Sequence, residues 1–209
     1  MPNRRPQVSS RKLPQQARST ELVAAILQAA MQVLEKEGAA RFTTARVAEK
    51  AGVSVGSVYQ YFPNKASILF RLQADEWQAT TEMLRRTLAD TRKAPLDRLR
   101  MLVHAFLRSE CDEAGMRGAL HDAAPLYRDA PEAREVRAAA DRAIAVFMEE
   151  VLPEAAHAQR AMACDLIGTA LGALGSSFSS SRRSQAEIKT YADAMADMFC
   201  AYLRALQQG

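Results

Sequence analysis

The sequence predicts an all-α protein of about nine helices, and three observations carry that prediction. Alanine is abundant and 48% of residues are hydrophobic while only 6% are aromatic, which suits a core of small aliphatic side chains on helices. No stretch sustains the apolar/polar alternation of a half-buried strand, whereas apolar residues recur at spacings of three and four along the chain. Prolines and short hydroxyl or amide residues stand where those periodic runs begin or stop.

Residues 1–18 hold three prolines together with Arg4, Arg5, Arg11, Lys12 and Arg18, and read as a basic flexible arm. Ser19 or Thr20 is placed to cap a first helix to about Lys36, with Leu22, Ile26, Ala29, Ala30, Val33 and Leu34 on one face and Gly38 at its end. Thr43 or Thr44 opens a short second helix to Ala51. Gly52 makes a tight turn, Ser54 starts a third helix, and Pro63 stops it. These three helices share Ile26, Val33, Phe42, Val47, Ala48, Val53, Val58 and Phe62 as a candidate core.

Asn64 is a cap for a fourth helix from Lys65 to about Asp90. Pro95 suits the first turn of a fifth, to about Cys111, whose apolar face is Leu99, Leu102, Val103, Phe106 and Leu107. A shorter sixth helix covers Gly115 to Leu126. Pro131 opens a seventh, which Pro153 stops. The eighth and ninth, about Ala155 to Phe178 and Gln185 to Leu206, are the most apolar and flank a polar Ser/Arg loop. No repeat recurs at a fixed period of 20–50 residues.

The second and third helices, with the turn at Gly52, follow the helix-turn-helix plan, in which the second helix of the pair lies in a DNA major groove. Residues 1–65 contain ten Lys/Arg against four Asp/Glu, a balance of +6, while the remaining 144 residues balance at −2. A basic N-terminal part on a slightly acidic remainder fits a phosphate-facing module joined to something with another task.

The block Phe42-Thr43-Thr44, Val47-Ala48, Ala51-Gly52-Val53-Ser54, Gly56-Ser57-Val58-Tyr59, Tyr61-Phe62, Asn64-Lys65 and Leu69 resembles the signature of the tetracycline-repressor (TetR) family of transcriptional regulators. The match covers roughly residues 20–75, and the order of nine helices agrees over the whole chain. The resemblance implies a helix-turn-helix DNA-binding domain at 19–75, with the motif at about 43–62, and a ligand-binding and dimerisation domain at 76–209. It implies DNA contacts from Thr44, Val55, Gly56, Ser57, Tyr59, Gln60, Tyr61 and Lys65. Chemistry gives these different tasks. Thr44 and Lys65 open helices and suit phosphate oxygens. Gly56 lets backbone approach DNA, and Ser57 and Gln60 reach base edges. Val55 meets a thymine methyl, and the Tyr59 and Tyr61 hydroxyls suit phosphates. Arg46 and Lys50 read equally well as phosphate contacts or as a solvated face.

The resemblance further implies a homodimer on a palindromic operator of double-stranded DNA and a small hydrophobic effector that releases it. Candidate lining for the effector site is Trp77, Met101, His104, Phe106, His121, Tyr127 and Phe147, with core filling as the plainer reading of each. Candidate interface residues are Gly168, Gly172 and Gly175 on the eighth helix and Ile188, Tyr191, Met195, Phe199 and Tyr202 on the ninth. The competing reading of that stripe is packing within one chain. A helical small-molecule-binding adaptor without a DNA role, and an activator instead of a repressor, are the alternatives.

Cys111, Cys164 and Cys200 are odd in number and far apart, with no metal-ligand spacing, and read as reduced thiols of a cytoplasmic protein. No cofactor, metal or membrane partner is expected, and no run looks long and apolar enough for a membrane span. An enzyme is not expected either: the sequence carries no phosphate loop, nucleophile elbow or paired-carboxylate arrangement.

Overall fold

The computed structural model describes residues 17–127 and 130–208, and among them every regular element is a helix. The order is α1 (Ala17–Arg41), α2 (Thr44–Ala51), α3 (Val55–Tyr61), α4 (Lys65–Leu88), α5 (Pro95–Asp112), α6 (Ala114–Ala123), α7 (Pro131–Val151), α8 (His157–Ser179) and α9 (Gln185–Gln208). All but the last two residues of the basic arm read in 1–18 lie outside the described residues.

Local chemistry explains most boundaries. Gly38 takes φ 73° and ψ 170°, which breaks α1 into two helical segments near where the sequence ends it. Gly52 sits in the left-handed region at φ 68° and ψ 29°, and its N–H donates back to Ala48 and Glu49. The Asn64 Oδ1 accepts from the Ser67 N–H at 2.9 Å, capping α4. Pro95 and Pro131 begin α5 and α7, where the missing donor costs nothing. Ser184 and Glu187 form a reciprocal capping box at α9: the Ser184 N–H donates to the Glu187 carboxylate at 2.8 Å, and the Glu187 N–H donates to Ser184 Oγ at 3.3 Å.

Three boundaries differ from the sequence reading. α1 begins at Ala17, so Ser19 and Thr20 fall inside its first turn instead of capping it. The sixth helix ends at Ala123, because Pro125 withholds a donor and the chain tightens into a 3-10 turn over Ala124–Leu126. α8 begins at His157, after Pro153. α8 is also long and apolar enough, by length and composition alone, to cross a membrane, with a mean hydropathy of 1.3. Of that apolar stretch 28% is buried inside the protein, including Ala163, Ile167 and Leu171.

The chain forms two compact units, Met1–Trp77 with Gly115–Val136, and Gln78–Ala114 with Arg137–Gly209. The first is cored by Ile26, Leu34, Phe42, Val47, Val58, Phe62, Ile68 and Leu69, each at most 1% exposed. It differs from the linear division at 75/76 in also recruiting Gly115–Val136, which holds most of α6. Tyr127 explains this: its ring lies 6.0 Å from that of Phe70, its hydroxyl donates to the Leu120 carbonyl at 2.8 Å, and the same hydroxyl lies 3.2 Å from Gln73 Oε1. An Arg117–Glu76 ion pair at 2.9 Å adds to this.

The second unit is cored by residues of α5, α7, α8 and α9, among them Leu99, Val103, Leu107, Met148, Ala163, Ala192 and Leu203. Arg98, 1% exposed, ties its parts together. Its guanidinium donates to the Leu88 carbonyl at the end of α4, pairs with Glu150 on α7, and lies 5.7 Å from the Phe147 ring centroid.

Candidate nucleic-acid interface

α3 has seven residues, too few for a stable isolated helix, so packing must hold it. Val58, Tyr61 and Phe62 supply that packing at 0%, 7% and 1% exposure. Each such buried side chain contributes about 1.5–3 kcal/mol, which fixes which way the helix faces. The opposite face is Val55, Gly56, Tyr59 and Gln60, all exposed. No acidic residue lies on α3, so nothing on it repels phosphate.

The two ends of α3 are set by side chains. Ser54 Oγ accepts from the Ser57 N–H at 3.0 Å and lies 2.8 Å from Ser57 Oγ. The Ser57 hydroxyl is thus shared with the cap and only half exposed. At the preceding helix, Thr43 Oγ1 accepts from the Arg46 N–H at 3.3 Å. Thr43 therefore supplies the cap, and Thr44 is the first helical residue with its side chain buried at 8%. What Thr44 offers outward is the amino end of α2, where backbone N–H groups lack internal acceptors.

The eight sequence-predicted DNA residues thus divide. Val55, Gly56, Tyr59 and Gln60 form one exposed face, and Ser57 and Lys65 are half-exposed beside it in sequence. Tyr61 and Thr44 are buried, so packing is the first task of their side chains. Arg46 pairs with Glu37 on α1, which spends part of its charge inside the unit, while Lys50 is exposed.

Gly56 is informative because the protein itself does not need it. Its φ is not positive, and a Cβ there would meet only Ser54 Oγ at 3.7 Å, an ordinary contact. Gly56 thus leaves bare backbone on the exposed face of α3.

The second unit holds a cavity of about 650 Å³ walled by α4, α5, α7 and α8. Of the seven predicted effector residues it includes Phe106 alone. Met101 is 42% exposed on α5, and Phe147 is committed to the core under Arg98. His104 faces Asp193 of α9 at 2.9 Å, and Asp193 also accepts from Lys189 at 2.8 Å. Those two partners, Lys189 before His104, hold the Asp193 carboxyl below its usual range. Trp77, His121 and Tyr127 belong to the first unit: Trp77 packs on its core, His121 is exposed, and Tyr127 is buried with its phenol pushed up by desolvation. Helical spacing suggests which face of a helix each of these seven occupies, but it does not say which neighbours that face meets.

The predicted interface residues are likewise largely used within the chain. Ile188, Met195 and Phe199 are buried at 3–5% exposure, Tyr191 stacks on Phe178 at 4.1 Å, and Tyr202 packs half-buried on the same core. Gly175 is buried against Phe106, while Gly168 and Gly172 line the cavity. The large apolar side chains that α8 and α9 leave exposed are Met162 at 66%, Leu166 at 50% and Met198 at 49%. Sequence reasoning placed Met198 on the interface stripe of the ninth helix but missed Met162 and Leu166. The available signal was that the apolar residues of α8 are spread round the helix and not gathered on one face, more than one core can absorb.

Comparison with known proteins agrees with both halves of this architecture. Residues 26–72 match the family model described as bacterial regulatory proteins, tetR family, and residues 94–206 match that of the tetracyclin repressor-like C-terminal domain. The nucleoid occlusion factor SlmA of Vibrio campbellii is 42% identical over 83 residues, which is 39% of this chain. The chain spans about two fifths (42%) of the length of that relative. Among solved structures, the fatty acid degradation regulator FadR of Bacillus halodurans superposes with a TM-score of 0.68 at 17% identity, over 85% of this chain and 93% of that one. NalD, the secondary repressor of the MexAB-OprM multidrug efflux pump in Pseudomonas aeruginosa, gives 0.65 at 19%, over 88% and 96%. A SmeT–triclosan complex gives 0.60 at 21%, over 87% and 91%.

Proposed function

This chain belongs to the tetracycline-repressor family, and from that premise we propose that it is a cytoplasmic, sequence-specific DNA-binding transcriptional regulator, acting as a ligand-responsive repressor. The observation that carries the reading is the division of α3, whose Val58, Tyr61 and Phe62 face is buried while Val55, Gly56, Tyr59 and Gln60 stand outward. A helix held so firmly on one side and so free of acids on the other is suited to the major groove. Gln60 offers a bidentate amide to adenine, Val55 an apolar contact to a thymine methyl, and Gly56 close approach. Lys65, the amino end of α2 and the Tyr59 hydroxyl supply phosphate contacts, which fix register without reading sequence.

One such unit reads one half-site, so the operator is a palindrome bound by a homodimer, with recognition helices about 34–36 Å apart. Met162, Leu166 and Met198 supply apolar surface for that second copy. The effector is a small molecule held in the cavity of the second unit. Leu84 on the cavity wall and Lys65, the phosphate contact, belong to one helix, α4. A differential affinity of about 1–3 kcal/mol between the two states of the dimer suffices for 5–150-fold release.

The test is selection of bound sequences from random duplex DNA, with Tyr59→Ala plus Lys65→Ala as the control. Enrichment of a palindrome that the control loses is the expected result. A folded dimer that enriches nothing at moderate salt would instead favour a ligand-binding adaptor.

A further inference from the structure

The cavity in the second unit has a distinctive lining. Leu84, Phe106, Ile144 and Leu171 make an apolar floor, and Gly168 and Gly172 leave the α8 wall bare: a Cβ at either would meet nothing within 4 Å. Its charged groups are Asp141, Glu149, Asp165 and Arg160, joined by His157. Three carboxylates thus face one guanidinium. None of the three forms an ion pair with a described residue, whereas Arg160 is turned onto the Leu152 and Pro153 carbonyls, at 3.2 Å each.

The charges are also unevenly placed. Glu149, His157 and Arg160 stand at the α7–α8 connection, so Glu149 has cationic company. Asp141 lies eight residues before Glu149 on α7, roughly 12 Å at 1.5 Å per residue, and Asp165 lies five residues after Arg160 on α8, roughly 7.5 Å. Asp141 is close enough to Cys164, also on the wall, to add to the desolvation that raises that thiol. An exposed carboxylate costs little while the cavity is empty, since water solvates it. A ligand with an apolar body and a positive group would gain twice, from burial on the floor and from the excess of carboxylates over guanidinium on the cavity wall.

We propose that this cavity binds a lipophilic organic cation, with the charged group beside Asp141 and Asp165 and the apolar body on Leu84, Phe106, Ile144 and Leu171. The assignment deepens the effector reading above and rests on it. It narrows the class from small hydrophobic molecules to those carrying a lasting positive charge, and disfavours carboxylates and sulfonates of the same size.

The experiment uses tetraphenylphosphonium and tetraphenylborate, which share a shape and differ in sign, titrated calorimetrically into the full-length protein. The expected result is saturable binding of the cation and much weaker binding of the anion. Asp141→Asn with Asp165→Asn, both at exposed positions, should weaken cation binding about tenfold, the size expected of two charges about 6 Å from the cation under water-like screening. Gly168→Leu, with a melting curve confirming the fold, should weaken it sharply by intruding from the bare α8 wall. Alkylation of Cys164, read peptide by peptide, should be slowed by the cation. Equal binding of both probes, no saturable cation binding, or an unaltered affinity in the double variant would overturn the proposal. Operator DNA separates the two readings. Cation binding that depends on the aspartates without changing DNA affinity leaves the cation site standing and sinks the effector reading. Release driven by the anion, and blocked by Gly168→Leu, does the reverse.

Discussion

At the scale of single residues, Gly56 shows how a side chain that is missing carries information. A helix interior ordinarily disfavours glycine by about 0.5–1 kcal/mol relative to alanine. Nothing inside the protein repays that cost, because a Cβ at 56 has room. Gly56→Ala is therefore expected to leave stability unchanged or raise it, while weakening operator binding; chemical denaturation beside a DNA titration checks both. A variant that loses stability and keeps its DNA affinity would return Gly56 to a packing role. Lys65 allows a second test, because a phosphate contact has a salt signature. Lys65→Ala should weaken binding to all sequences alike and lower the slope of log K against log salt by about 1. A selective loss at one base position would mean that Lys65 reads sequence.

At the scale of elements, α8 places two glycines with opposite consequences one turn apart. Gly172 borders open cavity, so Gly172→Ala should stabilise by up to about 1 kcal/mol through helix propensity. At Gly175 a Cβ would stand 2.8 Å from the Phe106 ring, and Gly175→Ala should cost about 1–3 kcal/mol through overpacking. Urea melts of the pair, expected to shift in opposite directions, measure this directly. Arg98 is the other element-scale device, joining the ends of α4 and α7 from a buried position on α5. Arg98→Ala leaves the Leu88 carbonyl without its donor and a cavity beside Phe147, and should destabilise by about 2–4 kcal/mol in the same melts. A shift within error would show that solvent replaces the guanidinium freely.

At the scale of the whole molecule, the exposed Met162, Leu166 and Met198 call for a cover. Methionines and a leucine left open on two helices of one unit suit a second copy of the chain. Leu166→Glu with Met198→Glu should shift sedimentation from dimer to monomer, leave helicity intact, and sharply reduce palindrome binding. A dimer that survives both charges would place the interface elsewhere.

Much of this molecule was legible in the sequence. Caps, breakers and three-to-four spacing act within a few residues, so Thr43, Gly52, Ser54, Asn64, Pro95 and Pro131 marked helix starts and stops directly. The outward residues of α3 came from the family resemblance, which named Val55, Gly56, Tyr59 and Gln60, all exposed, and also Tyr61, which is buried. Spacing gives the face of a helix but not its partner. The tertiary structure alone decided that α6 and Tyr127 join the first core and that Ile188, Met195 and Phe199 are consumed by their own unit. It alone decided that Gly168 and Gly172 border a cavity, while Gly175, on the same helix, meets a ring. Those outcomes depend on which distant side chains compete for the same buried space, and that competition is settled only when the helices pack.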